Sequence, residues 1–191
     1  MFKIGEKLRD PKIIGAIIEE WMKDKPGFLI EFLRNRKVLK LIYANIITDF
    51  LGEKEFYEDF FKELDNAKKE VKIYSPFVYS ARLMGKGVLN KLRECVNRGV
   101  SVEVFVRPRG DPSIFDRDDY ERCLDALKKS RIKVYELSEF HAKLVIIDRE
   151  TVYVGGINVL SHKEGSPDCM LKIKDPDVAE VLLNKIQEKI P

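Results

Sequence analysis

The chain has 191 residues, of which 45% are hydrophobic and 35% are charged. This length suits one domain of ordinary size with a small extension, and the apolar fraction is sufficient for a hydrophobic core. The formal net charge of +3 permits nucleic acid as a partner without requiring it. Lysine and glutamate dominate the charged residues, which is typical of thermophilic proteins; an ordinary charge-rich protein is the alternative interpretation.

Cysteine usage and hydropathy exclude further classes of protein. The cysteines are Cys95, Cys123 and Cys169, without a C-x-x-C pair, so the sequence predicts neither a disulfide framework nor a zinc site. Reduced thiols favour a cytoplasmic localisation. The first residues lack the pattern of a signal peptide, and no apolar stretch approaches the roughly 18 residues of a transmembrane helix. We therefore expect no association with membranes.

The first part of the chain, residues 1–52, is predicted to be a helical N-terminal extension. An aspartate–proline pair at 10–11 supplies an N-cap followed by proline at the first helical position. Apolar residues then repeat at helical spacing over 13–22. Residues 38–51 are strongly apolar and compatible with helix or strand, although their spacing favours helix. Gly52 is the predicted boundary of the extension.

From residue 53 onward, predicted helices and strands alternate along the chain. Helices are predicted over 56–67, 82–98, 118–129 and from 175, and strands over 71–75, 100–106, 132–135, 144–147, 151–154 and 169–173. This alternation indicates an α/β domain over residues 53–191. We expect a mixed, largely parallel sheet that is flanked by helices on both faces.

The most informative segment surrounds the predicted strand pair 144–147 and 151–154. His141 and Lys143 are separated by one residue, and alternate residues of a strand point to the same face, so the two side chains should project together. An imidazole beside a fixed positive charge is suited to attack on a phosphodiester. The complete pattern, H-x-K-x4-D-x6-G-G-x-N, comprises His141, Lys143, Asp148, Gly155, Gly156 and Asn158.

This pattern resembles the HKD motif of the phospholipase D superfamily, with one departure. Gly156 stands where the family usually has a serine, so another backbone N–H or a water would have to replace the missing hydroxyl. The resemblance extends over roughly residues 53 to 191. It is strongest toward small nucleases with a single motif and toward the phospholipase D-like domains found beside archaeal and bacterial DNA helicases. It therefore implies a phospholipase D-like catalytic domain that needs neither a metal nor another cofactor.

The resemblance also implies a role for each motif position. His141 would attack phosphorus and form a phosphohistidine intermediate, Lys143 would bind a phosphate oxygen, and Asn158 would complete the phosphate site. The two glycines would permit close backbone approach and positive φ. Asp148 is separated from both His141 and Lys143 by an odd number of residues, so on a regular strand it would face the opposite way. We expect it to support the fold by pairing with a backbone amide or a basic partner.

A catalytic histidine usually needs an acceptor for its second ring nitrogen, which fixes the tautomer. Asp168, at the start of the last predicted strand, is the favoured acceptor because the family tends to carry a carboxylate at about this place, often glutamate. Glu164, in the loop that precedes it, is the alternative. We expect Asp168 to belong to the catalytic group together with His141, Lys143 and Asn158.

Candidate substrate-binding residues lie in the loops around this group: Ser75, Arg107, Ser161, His162 and Lys163. His162 would contact substrate above the site, or it is a solvated loop histidine. The basic residues would line a groove that follows phosphates, or they form an ordinary charged surface. No spacing gathers histidines and carboxylates into a metal site.

The family mechanism uses two histidines, whereas this chain carries one motif. The resemblance therefore implies a homodimer in which two copies of His141 meet at a two-fold axis. We predict a metal-independent nuclease that hydrolyses DNA. A helicase or another DNA-processing protein is a candidate partner. The alternatives are a non-catalytic DNA-binding or dimerisation module of the same fold and, less favoured, a phospholipid phosphodiesterase.

Overall fold

The computed structural model describes residues 47–138, 141–165 and 168–187. The chain divides between Ile47 and Thr48 into two units, so the described residues lie almost entirely in the second unit. The predicted helices of the N-terminal extension, up to residue 46, lie outside the described residues.

Within the described residues, strands and helices alternate as expected from residue 53 onward. The strands are β1 (Ile47–Gly52), β2 (Glu70–Tyr74), β3 (Ser101–Val106), β4 (Lys133–Glu136), β5 (Leu144–Ile147), β6 (Thr151–Gly155) and β7 (Cys169–Lys174). The helices are α1 (Glu53–Asn66), α2 (Ser80–Leu83), α3 (Val88–Asn97), α4 (Arg117–Lys129) and α5 (Pro176–Gln187). The predicted α/β class is therefore confirmed.

Two predicted helices differ from the observed elements. The helix expected over 82–98 is divided into α2 and α3, because Gly87 adopts a left-handed φ of 79° immediately before α3, a conformation that interrupts a helix and suits glycine. Residues 47–51, which helical spacing assigned to a helix, belong to strand β1. A short apolar run does not by itself distinguish a helix from a buried strand.

The sheet has seven strands in the order β1-β7-β6-β5-β2-β3-β4. Strands β2, β3 and β4 pair in parallel, whereas the pairs β2–β5, β5–β6 and β6–β7 are antiparallel. The mixed sheet is thus confirmed, although its antiparallel part is larger than expected. Strands β5 and β6 form a hairpin whose turn contains Asp148 and Arg149. Both residues have positive φ, and Glu150 N donates to Ile147 O at 3.0 Å. Two such residues give the tight turn that joins antiparallel strands.

Apolar side chains cover both faces of the sheet. In β5, Val145 and Ile147 belong to the main core beneath α1, α3 and α4, whereas the alternate residues Leu144 and Ile146 are buried outside that cluster. Helix α5 contacts β6 and buries its own apolar stripe apart from the main core. The expectation of helices on both faces is confirmed. Because β5 is buried on both faces, its sequence is a continuous apolar run.

Strand direction brings distant parts of the chain to one edge of the sheet. Tyr74 at the end of β2 pairs with Leu144 at the start of β5, which in turn pairs with Val154 near the end of β6. Gly155, the last residue of β6, pairs with Met170 near the start of β7. We call this side, with the ends of β2, β3 and β6 and the starts of β5 and β7, the motif edge. Among the described helices, none combines the length and apolar character needed to cross a bilayer.

Candidate active site

His141 and Lys143 form the centre of the motif edge. Nζ of Lys143 lies 2.9 Å from Nε2 of His141 and 3.3 Å from the His141 carbonyl oxygen. The lysine is buried, with 9% of the residue exposed, whereas the histidine is exposed. The two side chains therefore lie together as predicted, although both residues precede β5 and do not belong to it.

The contact between these side chains selects one tautomer of a neutral His141. A lysine ammonium has three donors and no acceptor, so Nε2 of the neutral imidazole accepts and the ring proton resides on Nδ1. In that state Nε2 carries a lone pair next to a positive charge.

Asp148 lies at the opposite end of β5, in the turn to β6. Its carboxylate accepts hydrogen bonds from the backbone amides of Lys68, Lys69 and Glu70 at 2.8, 2.7 and 3.0 Å. Hydrogen bonds to a carboxylate are stronger than neutral ones, so this turn is fastened to the start of β2. The arrangement is that of a structural carboxylate, and it lies away from the motif edge.

Both glycines of the motif lie where β6 packs on β7, and Gly155 has no room for a side chain. A Cβ on Gly155 would overlap the Cys169 carbonyl oxygen and lie 2.8 Å from Cα of Met170. Close approach therefore explains this glycine; neither Gly155 nor Gly156 has a positive φ, contrary to expectation. Gly156 N donates to Cys169 O at 2.9 Å. Its N–H is consequently engaged in the sheet and does not replace the hydroxyl of the usual serine.

Asn158 begins a turn immediately after β6. Its carbonyl oxygen accepts from Ser161 N at 3.0 Å and from His162 N at 2.7 Å. Its side-chain Oδ1 is buried without a hydrogen-bond partner among the described residues. A buried amide oxygen without a partner is costly, but a phosphodiester offers only acceptor oxygens, so the Nδ2 group of Asn158 is the one that could donate to a phosphate. This position is compatible with the phosphate-binding role expected from the sequence.

Ser75 belongs to the frame of the site and does not contact substrate. It is fully buried, and its Oγ donates to Phe77 O at 2.9 Å and accepts from Leu160 N at 3.3 Å. The hydroxyl thereby ties the end of β2 to the loop that follows Asn158. The expectation that Ser75 binds substrate is corrected, because no polar atom of its side chain reaches solvent.

The remaining loop candidates differ in how much of each side chain is available. Arg107 is half-buried at the end of β3: its Nη1 lies 2.6 Å from Ser113 Oγ and 3.4 Å from Asp111 Oδ1, and its guanidinium lies over the ring of Phe77. Lys163 is exposed. Ser161 uses its backbone N–H in the Asn158 turn. Lys163 is thus the most open of the basic candidates to a phosphate.

His162 is not the solvated loop histidine of one expectation, because its side chain is buried; its contact with a substrate stays a prediction. Its side chain is 3% exposed, with Nδ1 3.8 Å from Asp168 Oδ2 and Nε2 3.7 Å from Glu53 Oε2. Burial lowers the pKa of His162, and the two carboxylates only partly offset this effect. Asp168 precedes β7, as expected from the sequence. Its pairing with His141 stays a prediction.

Glu53 and Arg82 complete this buried group, and the sequence reasoning missed both. Arg82 is 6% exposed; its Nε donates to His162 O at 3.0 Å, and its guanidinium pairs with Glu53 and lies over Tyr57. Burial raises the pKa of Glu53, but hydrogen bonds from the Gly165 amide and Arg82 outweigh this effect, so the pKa is lowered overall. Nothing near Arg82 in the sequence signals this role, because every partner lies in another segment.

The motif edge carries the imidazole of His141, the ammonium of Lys143 and the amide of Asn158. We call these three residues, with Asp168 as the proposed acceptor for His141, the half-site. This set can bind a phosphate group and attack its phosphorus atom. Among residues 47–138, 141–165 and 168–187, no group of three or more His, Cys, Asp or Glu side chains is arranged to hold a metal ion.

Comparison with known proteins identifies one family of sequences. Residues 60–190 match the family model described as "Cardiolipin synthase, PLD-like domain". Cardiolipin synthase 1 of Staphylococcus aureus is 24% identical over 151 residues, which are 75% of this chain and 28% of that protein. Cardiolipin synthase B of Shigella flexneri is 25% identical over 145 residues, 67% of this chain and 34% of that protein. The chain therefore spans about a third of the length of these relatives.

Solved structures share the fold over most of the chain. Nuc from Salmonella typhimurium, a phospholipase D family member, superposes with a TM-score of 0.59 at 19% identity, covering 74% of this chain and 91% of that chain. NucT from Helicobacter pylori gives 0.59 at 16% identity, with 74% and 93% covered. TrmBL2, an archaeal chromatin protein that binds DNA, gives 0.50 at 18% identity, with 94% and 68% covered. At these identities the likeness concerns the fold alone.

Proposed function

The chain belongs to the phospholipase D superfamily, whose members act on phosphodiester bonds, and on this premise we propose that it is a nuclease that hydrolyses DNA. The observation that carries the proposal is the 2.9 Å contact between Lys143 Nζ and His141 Nε2 on an exposed edge. This pair supplies an unprotonated nitrogen and a positive charge for the phosphate that it attacks.

The reaction divides into two displacements at phosphorus. In the first, a bond forms between His141 Nε2 and phosphorus while the bond to the leaving oxygen breaks, and that oxygen takes a proton from a second histidine. In the second, water attacks the phosphohistidine, the nitrogen–phosphorus bond breaks, and the proton of the water returns to the second histidine. Lys143 and Asn158 bind the phosphate oxygens throughout.

We propose that the second histidine comes from another copy of the chain. The sequence contains two histidines, and the side chain of His162 is 3% exposed, so it has no access to a leaving group. His141 of a partner subunit is then the remaining acid. This argument supports a homodimer in which two motif edges face each other across a two-fold axis.

A structural neighbour that binds DNA supports DNA over lipid as the proposed substrate. TrmBL2, which has the same fold, binds DNA. A small excess of positive charge is compatible with a polyanion as substrate. On the sequence resemblance, a helicase or another DNA-processing protein is the proposed partner.

A second candidate function is the hydrolysis or transfer of a phospholipid headgroup. The sequence relatives favour it, since the matching family model and the curated relatives are cardiolipin synthases. The same half-site can attack either ester, because both substrates present a phosphodiester. The substrate is therefore selected by the surfaces around the motif edge, where exposed Lys163 is placed to meet a phosphate backbone.

The experiment compares three substrates with one protein. Purified full-length chain is incubated in EDTA with supercoiled plasmid, with bis(p-nitrophenyl) phosphate and with phosphatidylglycerol vesicles. We expect plasmid nicking and ester hydrolysis, and a loss of at least about 10³-fold in His141→Ala, because the nucleophile is absent. Lys54→Gln, a change at an exposed lysine on α1, is the matched control and should retain activity.

The other outcomes decide between the alternatives. Activity on vesicles without plasmid nicking would assign the chain to phospholipid chemistry. Tight DNA binding in a gel-shift assay, with no turnover of any of the three substrates, would identify a non-catalytic module. Equal activity in His141→Ala and in the unmodified chain would overturn the proposed mechanism.

A further inference from the structure

His162 is a buried titratable group that the proposed reaction does not use. It lies in the loop between Asn158 and β7, with 3% of its side chain exposed. Carboxylates flank both ring nitrogens: Asp168 Oδ2 lies 3.8 Å from Nδ1, and Glu53 Oε2 lies 3.7 Å from Nε2. Nε2 is buried and has no hydrogen-bond partner among the described residues.

The surroundings of this imidazole come from three separate elements. Glu53 begins α1, Arg82 lies in α2, and Asp168 immediately precedes β7. These are the charged groups that act on the proton equilibrium of His162 among the described residues. Arg82 pairs with Glu53, and Asp168 lies within ion-pair distance of the opposite ring nitrogen.

Both ring nitrogens lie beyond hydrogen-bond distance of their carboxylate neighbours, at 3.7 and 3.8 Å, so the coupling is electrostatic. A neutral imidazole therefore interacts weakly with both carboxylates. A protonated imidazole would form an ion pair with each and hold Asp168 more strongly. The protonation state of His162 therefore determines how strongly its imidazole holds the Asp168 carboxylate.

His162 also supports the residue that begins this loop. Its backbone N–H donates to Asn158 O at 2.7 Å, and its carbonyl oxygen accepts from Arg82 Nε at 3.0 Å. One residue thus contacts Asn158 through its backbone and Asp168 through its side chain. Both of these residues belong to the proposed half-site around His141.

We propose that His162 is a positioning residue that holds the Asp168 carboxylate and the Asn158 turn in position relative to His141. The catalytic part of this proposal rests on the proposed function, in which Asp168 accepts from Nδ1–H of His141. On acidification, protonated His162 competes with His141 for the same carboxylate. His162 acts through Asp168 and touches neither the substrate nor the reacting atoms.

The coupling of His162 to Asp168 can be tested without any activity. The chain has two histidines, so in His141→Ala the one imidazole that remains gives an unambiguous NMR titration. We expect Asp168→Asn in this background to lower the pKa of His162 by about one unit, because a carboxylate within about 4–6 Å favours the charged imidazole. Glu58→Gln removes the same charge from an exposed site on α1 and should leave the titration unchanged.

An unchanged His162 titration in Asp168→Asn would overturn the proposal, whatever the enzyme does. Conversely, a coupled titration in a chain that cleaves no phosphodiester would leave the His162–Asp168 interaction standing and sink the proposed function instead. The two failures are therefore distinguishable.

The positioning role is tested on the ester substrate with two variants of His162. His162→Leu has no donor for Asp168, and we expect kcat to fall about tenfold with little change in KM, as for loss of an outer-shell partner. His162→Gln retains one donor and should recover most of kcat, but with a shallower acid limb in its pH profile. If both variants keep the kcat and pH profile of the unmodified chain while circular dichroism shows them folded, His162 is structural only and the positioning role is wrong.

Discussion

Nζ of Lys143 lies 2.9 Å from Nε2 of His141, so the nucleophile of the proposed reaction lies against a positive charge. The lysine is buried, whereas the histidine is exposed. In the proposed reaction, two residues that immediately precede β5 would thus provide both the nucleophile and the charge for a phosphate.

Removal of the Lys143 ammonium should impair the reaction more than the fold. We expect Lys143→Met, which keeps the length of the apolar stem, to lower kcat/KM by about 10²–10³-fold, the usual effect of losing one donor to a developing oxyanion. Initial rates on bis(p-nitrophenyl) phosphate measure this. Lys174→Met, at a side chain that is 49% exposed on β7, is the control and should behave as the unmodified chain. Retained activity in Lys143→Met would refute the assignment.

Subunit mixing should reveal whether the site is shared between two chains. When unmodified and His141→Ala chains are unfolded together and refolded, a composite site is active only if both subunits carry His141. Activity should then follow the square of the unmodified fraction. Rates measured across a series of mixing ratios check this, with ultracentrifugation to establish the dimer. A linear dependence would show that each subunit acts alone.

Replacement of Asp148 should affect stability and leave the chemistry intact. Its carboxylate accepts from three backbone amides at the start of β2. We expect Asp148→Ala to lower the free energy of unfolding by about 2–3 kcal/mol, since hydrogen bonds to charged groups contribute about 1.5–3 kcal/mol and part of this loss is restored by water. Urea unfolding measures it, with exposed Asp125→Ala as the control. A large loss of kcat in folded Asp148→Ala protein would instead place Asp148 in the reaction.

A methyl group at Gly155 should not be tolerated. The added Cβ would overlap the Cys169 carbonyl oxygen and lie 2.8 Å from Cα of Met170, so β6 and β7 would have to separate. We expect Gly155→Ala to cost more than about 3 kcal/mol, in the range of severe overpacking. Gly110→Ala is the matched control, because a Cβ at Gly110 meets nothing within 4 Å. Similar melting temperatures for the two variants would contradict this packing.

The stability of the fold should depend on pH through His162. Burial lowers its pKa from the ordinary value of 6.5, so below that pH the unfolded chain takes up a proton before the folded chain does. Stability therefore decreases as the pH falls through about 6.5 and stops changing on this account below the folded pKa. Unfolding measured from pH 8 to 5 should show this slope in the unmodified chain and a smaller one in His162→Gln. Equal slopes would mean that His162 titrates alike in both states.

Local pattern predicted the α/β class, most strands and the shared face of His141 and Lys143. These features depend on residues close in the chain, where the period of the backbone decides which side chains project together. The β5–β6 hairpin is likewise a local structure. The helix favoured over residues 38–51 was wrong for residues 47–51, because their apolar spacing suits either element and only pairing with the rest of the sheet selects the strand.

Whether a polar group is available to a substrate was decided by the tertiary structure. The sequence made Ser75 a substrate-binding candidate and left a backbone N–H or a water to replace the missing serine hydroxyl. In the structure, Phe77 and Leu160 engage the Ser75 hydroxyl, and Cys169 engages the Gly156 N–H. His162 looked like a loop residue, yet Glu53 and Asp168 enclose it. Such partners come from segments far apart in the chain, and packing alone brings them together. The sequence by itself therefore determined the chemistry of the His141–Lys143 pair, and the tertiary structure decided which neighbouring groups can act with it.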